Sequence, residues 1–225
     1  MLNLLHAATP GWAALLVLSL GALASPASAA TLPSFMQQML RAELPDPYPA
    51  PADMPPLGTI RVAGVALAFG RTGIDRLAAG LGIAVRHQGD AGDSVYWTCA
   101  RLDVPAGSRN PHDEAPALTL WLLSDAEATG RSHAVTAIAL DGIRQDGSTC
   151  PVPEREPDLT LDARIIRPGT QAERIAGIYG HVPKRDGRTA FALPAGDAAS
   201  GSFTLTVSMR DGRAQTVWLA NTPDN

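Results

Sequence analysis

A helix, a polar turn and a strand occur twice in this chain in the same order, and this repetition limits the folds open to it. The first copy spans Arg71–Leu102 and the second spans Gly169–Pro194. In each copy, apolar residues recur at helical spacing for two turns, and a glycine, Gly82 or Gly180, follows. Glycine commonly ends a helix because it takes the left-handed conformation without strain. The pattern therefore predicts one short helix followed by one strand in each half of the chain.

Alternating polar and apolar residues predict two further strands after each copy. In the second half the alternation is the clearest in the chain, and Asp211-Gly212 between the two strands is a strong hairpin signal. The predicted strands are Ala117–Leu123 and Ala134–Leu140 in the first half, and Ser202–Met209 and Ala214–Ala220 in the second.

A strand is also predicted before each helix. Thr59–Phe69 alternates on either side of Gly64, which predicts a β-bulge at that glycine. Ala163 and Ile165 fill the equivalent positions in the second half. Each half therefore reads β-α-β-β-β. The sequence predicts an α+β fold of two tandem repeats, each an antiparallel sheet with one helix packed on one face.

The predicted boundaries follow from these patterns and from changes in composition. The stretch between the repeats is rich in Asp, Gly, Pro and Glu, which is typical of an exposed linker. The segments are residues 1–29 as a signal peptide, 30–57 as a short helix plus a Pro-rich linker, 58–140 as the first repeat, 141–158 as a linker and 159–225 as the second repeat.

The first thirty residues have the pattern of a secretory signal peptide. Trp12–Ala24 is uncharged and apolar, and a small-residue cleavage site follows at Ala27–Ala29. The apolar run is shorter than the roughly 20 residues that a membrane-spanning helix needs. The sequence therefore predicts export, with the mature protein in the periplasm or secreted.

The two cysteines are interpreted in the light of that compartment. Exported proteins fold under oxidising conditions, in which an even number of cysteines favours pairing. We therefore predict an intramolecular disulfide between Cys99 and Cys150. An intermolecular bridge or a reactive thiol is the alternative.

Residues 30–57 combine a short apolar helix with a proline-rich stretch. Ser34–Leu44 groups its apolar side chains on one helical face, and six prolines follow within Pro45–Pro56. Such a proline content excludes a helix and favours an extended linker. The helix is expected to pack on the body of the protein, with docking on a partner as the alternative.

Composition and motifs exclude several functions. The net charge is −4, with 18 basic and 22 acidic residues interspersed, so the basic stripe of a nucleic-acid-binding protein is missing. There is no phosphate-binding loop and no dinucleotide fingerprint. The sequence predicts no cofactor.

The densest polar cluster is the turn from His87 to Ser94, for which we consider three interpretations. It is most simply a Gly/Asp turn that leads into a strand. His87, Asp90 and Asp93 could instead bind a metal ion, although the spacing matches no known calcium loop. Ser94 could also be the nucleophile of a serine hydrolase, which would need a histidine base brought close by folding.

No motif supplies that base in the sequence. The Asp-x-x-His pair of GDSL-type hydrolases does not occur after Ser94, and His133 and His181 are isolated. We therefore predict no catalytic residue and no metal site from the sequence alone.

Short motifs recur in the two halves of the chain: Gly70-Arg71-Thr72, Leu81-Gly82 and Trp97 in the first half, and Gly169-Thr170, Tyr179-Gly180 and Phe191 in the second. In these motifs the tandem pattern resembles the beta-lactamase-inhibitor-protein-like group, which includes outer-membrane assembly lipoproteins of the BamE type. The resemblance implies a non-enzymatic protein that works through its surface. It transfers no functional residue, the chain lacks the lipid-attachment cysteine, and each half has one helix where that group usually has two.

The sequence thus predicts an exported, non-enzymatic binding or envelope-associated module. Its expected partner is an unknown protein or another envelope component, with no nucleic acid and no membrane span in the mature chain. The alternatives are an exported serine hydrolase that uses Ser94 and a metal-binding protein that uses the turn from His87 to Asp93.

Overall fold

The computed structural model of the chain describes most of the residues after the predicted signal peptide. Thr31–Asn225 forms one compact unit. The predicted signal peptide, Asp90, Asp93 and most of the predicted helix Ser34–Leu44 lie outside the described residues. Those described are residues 32, 36–37, 44–89, 94–102, 118–125, 133–142, 150–153, 157–194 and 202–222.

Within this part of the chain the protein is mostly β-sheet, with two short helices. None of its helices is long and apolar enough to serve as a membrane span. In chain order the elements are β1 (Ile60–Val62), β2 (Val65–Leu67), α1 (Ile74–Leu81), β3 (Arg86–Gln88), β4 (Val95–Leu102), β5 (Leu118–Asp125), β6 (Ala137–Asp141), β7 (Leu159–Thr160), α2 (Ala172–Tyr179), β8 (Gly187–Leu193), β9 (Ser202–Arg210) and β10 (Arg213–Thr222).

The strands form one large sheet and one small sheet. The large antiparallel sheet has seven strands in the order β3-β4-β5-β6-β10-β9-β8. Strands β6 and β10 meet at its centre, where Ala139 lies opposite Trp218. The small sheet has the order β2-β1-β7.

This arrangement corrects the predicted fold class of two β-α-β-β-β repeats, each with its own sheet. The strands of both halves merge through the β6–β10 pair, and the small sheet pairs β1 from the first half with β7, before the second helix. Ala163 and Ile165, predicted as a strand, lie in a turn and the bend that follows it. The pairings that decide the architecture join residues far apart in sequence, which local patterns do not report.

The two helices predicted before Gly82 and Gly180 and the predicted hairpin at Asp211-Gly212 are confirmed. Both helices end at a left-handed glycine, Gly82 with φ 67° and Gly180 with φ 72°. The Asp211-Gly212 turn between β9 and β10 has positive φ at both residues, as a two-residue hairpin of type I′ requires. The predicted bulge at Gly64 is instead a second such turn, with φ 50° at Ala63 and 74° at Gly64, which reverses the chain between β1 and β2.

The two helices are attached to the large sheet in the same way. In each half, three consecutive strands are neighbours in the large sheet, β4-β5-β6 in the first half and β8-β9-β10 in the second. The first N–H of the helix donates to a carbonyl just before the third of these strands. A residue near the start of that third strand donates its N–H to the carbonyl of a residue just before the helix. The donor–acceptor pairs are Ile74–His133 and Val135–Thr72 in the first half, and Ala172–Gly212 and Ala214–Thr170 in the second.

Side chains alternate along each strand, so the large sheet has two faces. One face, which we call the helix face, packs against both helices and the small sheet in a single apolar core. Phe69 meets Phe203 there edge to face, and Tyr179 of α2 stacks on Phe191. The other face is also buried at its centre, which is why all five residues of β6 are buried.

The Pro-rich segment of residues 45–56 is fixed to the second half of the chain. Tyr48 pairs in parallel with Phe191 on the edge strand β8, where it donates to Ala190 O and accepts from Ala192 N. Its ring stacks on His181 with 4.5 Å between centroids. The predicted linker is therefore a strap that lies along one edge of the large sheet.

A charged pair anchors the end of this strap. The Asp162 carboxylate accepts from the backbone N–H of Gly58 at 2.6 Å and from Arg164 Nε at 2.7 Å. The Arg164 guanidinium donates in turn to the carbonyls of Pro55 and Pro56. The side-chain hydrogen bond from Arg164, aided by the backbone N–H groups of Arg164 and Gly58, lowers the pKa of Asp162 from 3.8 to about 2 despite its partial burial.

The lowered pKa predicts acid sensitivity at this anchor. Because the folded-state pKa lies below the unfolded one, the stabilisation is present above about pH 4 and is lost as the pH falls through about 2. Asp162→Asn should lower the free energy of unfolding at neutral pH by about 1–3 kcal/mol, since charged hydrogen bonds are removed. It should also make the free energy of unfolding less dependent on pH between about pH 4 and pH 2.

Urea unfolding at neutral pH and across the acid range measures both effects. The matched control is Asp158→Asn, which changes an exposed carboxylate. If the Asp162→Asn curve keeps the acid slope of the wild type, the anchor does not contribute.

Candidate functional site

The pairing of β3 with β4 brings a histidine, a serine and a tyrosine together on the helix face. His87 lies directly opposite Tyr96, and Ser94 is two residues before Tyr96 and so precedes it on the same side. His87 Nε2 is 3.1 Å from Ser94 Oγ. The His87 ring also packs on the Tyr96 ring with 4.7 Å between centroids.

A second histidine reaches the same tyrosine from the loop before β6. His133 has a positive φ of 46°, and its carbonyl accepts the first helical N–H of α1, from Ile74. Its ring lies 3.7 Å from the centroid of Tyr96. The start of α1 thus holds the backbone that carries this imidazole. We call His87, Ser94, Tyr96 and His133 the histidine–tyrosine cluster.

The histidine–tyrosine cluster is partly open to solvent. His87 is exposed, and the other three members are half-buried. Ser124 lies opposite Tyr96 on β5, and its hydroxyl is fully buried without a hydrogen-bond partner among the described residues. The cluster therefore presents imidazole, phenol and hydroxyl groups beside aromatic ring faces.

The contact between His87 and Ser94 allows two hydrogen-bond directions. If the proton of His87 is on Nδ1, Nε2 accepts from the serine O–H, as a general base must. If the proton is on Nε2, the imidazole donates to Ser94 instead. In catalytic triads a third group orients the base. Within the described part of the chain, no carboxylate contacts His87.

The structure brings some of the predicted site residues together. Ser94 meets a histidine, as the hydrolase hypothesis requires, and that histidine is His87 from the same turn. His181, isolated in the sequence, stacks on Tyr48. Asp90 and Asp93 lie outside the described residues, and those described contain no group of three or more His, Cys, Asp or Glu side chains suited to a metal ion.

The predicted disulfide is confirmed. Cys99 and Cys150 are bonded, with their Cα atoms 5.3 Å apart, and both are buried. Beside it, Arg101 N–H donates to Pro151 O, so the chain after Cys150 continues along β4 beyond the end of β3. Cys99 lies in β4, the strand that carries Tyr96 and begins directly after Ser94, and the disulfide fixes Cys150 to that strand.

Sequence reasoning missed Tyr96 and His133 as members of one cluster. A hairpin register across the His87–Ser94 turn could have placed His87 opposite Tyr96. Nothing in the sequence connects His133 to them, because its position depends on the β5–β6 pairing and on the attachment of α1.

Comparisons with known proteins add no identification. No protein-family model matches the chain, and searches of curated proteins and of solved structures found no match.

Proposed function

We propose that this protein is an exported binding module without catalytic activity, and that the histidine–tyrosine cluster is its contact surface. The observation that supports this most is the contact of three rings, those of His87, Tyr96 and His133. These rings lie near the β3 edge of the large sheet and stay partly open to solvent, whereas the central strand β6 is buried. The pattern of a signal peptide in the sequence supports the extracytoplasmic location.

The chemistry of the cluster suits recognition. Tyrosine and histidine present an apolar body with a polar tip, and such side chains supply contact area together with hydrogen bonds at interfaces. Since ring packing already orders the three rings, their binding to a partner would cost little side-chain entropy.

The proposed partner is a protein or another component of the cell envelope. The net charge of −4 and the interspersed charges disfavour nucleic acid.

The test compares two tyrosine variants in retention experiments on envelope extracts. Tyr96→Ala removes the centre of the cluster, and Tyr48→Ala removes a tyrosine that also stacks on a histidine but lies at the opposite edge of the sheet. We expect wild type and Tyr48→Ala to retain the same component and Tyr96→Ala to lose it. Equal retention by all three proteins, or none by the wild type, would count against the proposal.

A serine hydrolase is the second candidate, and the 3.1 Å contact between His87 Nε2 and Ser94 Oγ favours it. In that reaction Ser94 Oγ would attack an acyl carbonyl while its proton passes to His87. The departing alkoxide would take that proton, and water would then hydrolyse the acyl-serine.

An active-site probe separates the two candidates. Under the hydrolase hypothesis a fluorophosphonate labels Ser94, and both Ser94→Ala and His87→Ala abolish labelling and ester turnover. Ser202→Ala, a change at an exposed serine, should have no effect. A wild-type protein that is neither labelled nor active on 4-nitrophenyl esters excludes this candidate.

A further inference from the structure

Three segments in the second half of the chain are bound to one another and carry most of its positive charge. The N–H of Gly212, at the tip of the β9–β10 hairpin, donates to Arg185 O at 3.1 Å, which joins the tip to the turn before β8. The N–H of Ala172 donates to Gly212 O, which joins the tip to the start of α2. We call these segments, residues 167–174, 182–188 and 210–213, the basic end.

The charge of the basic end is opposite in sign to that of the rest of the chain. It holds seven Arg or Lys residues and three Asp or Glu residues, a net charge of +4. The whole chain has 18 basic and 22 acidic residues, so the remainder has 11 basic and 19 acidic residues, a net charge of −8. The fold therefore gathers basic residues that are scattered along the sequence.

Cations of the basic end face solvent, and two of them are direct neighbours. Arg210 lies opposite Arg213 across the hairpin, and like charges in that arrangement destabilise a sheet. Asp211 is 4.0 Å from Arg210, but both side chains are more than three-quarters exposed, so this ion pair contributes little. The Asp186 carboxylate accepts from the backbone N–H of Asp211 at 2.8 Å. The basic end thus keeps a net positive charge that favours an anionic partner.

An apolar side chain projects beside these cations. Val182 is 73% exposed, more than any other large hydrophobic residue in the described part of the chain. Pro183 is buried and Lys184 is exposed. With the side chain between them turned inward, Val182 and Lys184 both face outward, two residues apart. The basic end therefore combines cations with an exposed apolar contact.

This combination suits the surface of an anionic lipid bilayer. Proteins that lie on such a surface bind through buried apolar area together with electrostatic attraction to anionic lipids. Cations spread over three segments match an array of headgroups, and the net charge of −8 elsewhere turns the basic end toward the negative surface.

We propose that the basic end binds the surface of an anionic lipid bilayer, with Val182 at the headgroup boundary. The histidine–tyrosine cluster lies near β3, whereas the basic end adjoins β8, β9 and β10 on the other side of the large sheet. The proposal therefore does not depend on the function proposed for the cluster.

Co-sedimentation of the full chain with vesicles tests the proposal. We expect the protein to sediment with vesicles of phosphatidylcholine mixed with phosphatidylglycerol and not with phosphatidylcholine alone. Added salt should weaken the binding because it screens exposed charges. Arg185→Gln/Arg210→Gln should lower the affinity roughly 25-fold, since each basic residue near an anionic membrane contributes about fivefold. The matched control Arg71→Gln/Arg76→Gln, which removes two exposed arginines from the first half, should bind like the wild type.

Two single variants separate the apolar contact from the histidine–tyrosine cluster. Val182→Ser should weaken binding to the mixed vesicles without changing its dependence on salt. Tyr96→Ala should bind the vesicles like the wild type, so failure of this proposal and failure of the cluster as a contact surface give different results.

Three results would overturn the proposal. The first is a wild-type protein that does not sediment with the mixed vesicles, and the second is equal affinity of the two double arginine variants. The third is binding to soluble polyglutamate that is as tight as binding to the vesicles and is unaffected by Val182→Ser, which would indicate an acidic protein as the partner.

Discussion

Loss of the Cys99–Cys150 disulfide is expected to lower the free energy of unfolding by about 4 kcal/mol. The bridge joins residues that are 51 apart in sequence. Closing a loop of that length lowers the conformational entropy of the unfolded state, and this destabilises the unfolded state by about 4 kcal/mol at 25 °C. Urea unfolding of the double variant Cys99→Ala/Cys150→Ala, set against the oxidised wild type, measures the difference.

Two comparisons show whether the covalent constraint is the cause. Wild type that is unfolded, reduced and refolded under reducing conditions should match the double variant, because both lack the bridge. An unchanged unfolding midpoint in the double variant, or a difference confined to reduced wild type, would contradict the entropic account. Since both cysteines are buried, we expect the native bridge to resist mild reductants.

Ile138→Ala is expected to cost about 2–5 kcal/mol, the usual range for a large-to-small change in a well-packed core. Ile138 is 1% exposed on the central strand β6, and on the helix face its cross-strand neighbours are Leu122 and Leu219. The cavity would open where the two halves of the chain meet. Val182→Ala, a control at a side chain that is 73% exposed, should change stability by less than about 0.5 kcal/mol.

The same experiment distinguishes one shared sheet from two independent repeats. With a single sheet, tryptophan fluorescence and far-UV circular dichroism should report one coincident unfolding transition, shifted as a whole by Ile138→Ala. Trp97 and Trp121 report on the first half, and Trp218 reports on the second. Two separated transitions, only one of them shifted, would indicate that the β6–β10 pair does not couple the halves.

The elements that the sequence predicts well are those whose causes are local. The helical spacing before Gly82 and Gly180 and the Asp211-Gly212 turn each occupy a few consecutive residues, and all are present. The alternation in Ser202–Met209 likewise marks strand β9. Propensity and turn chemistry act over the same short range, so the residues themselves carry the information.

The architecture could not be predicted because it depends on pairings between distant residues. The copies resemble each other at the helices, and that local likeness favoured a strand at Ala163–Ile165 and a separate sheet in each half. Strand β7 is two residues long and gives no alternation, yet it joins the small sheet. Alternation also fails in β6 because both of its faces are buried.

The candidate site was predictable only in part. The turn from His87 to Ser94 stood out by composition, and the contact between its two ends follows from a β-hairpin. Tyr96 is within the adjoining strand, whereas His133 arrives through tertiary structure. A search for motifs in sequence order therefore finds half of the cluster.

The order of pairing along the chain has a consequence for how the protein acquires its structure. Strand β1 pairs with β7, which lies nearly a hundred residues later in the chain, and Tyr48 pairs with Phe191 at the far edge of the sheet. Neither pair can form before the later residue is available. Folds dominated by such distant contacts form slowly, often on a scale of about milliseconds to seconds. If the chain emerges from a narrow channel with its N-terminus first, the large sheet stays incomplete until almost the last strand has emerged. The proline-rich residues, which emerge early, then pair with a sheet formed by residues that emerge after them.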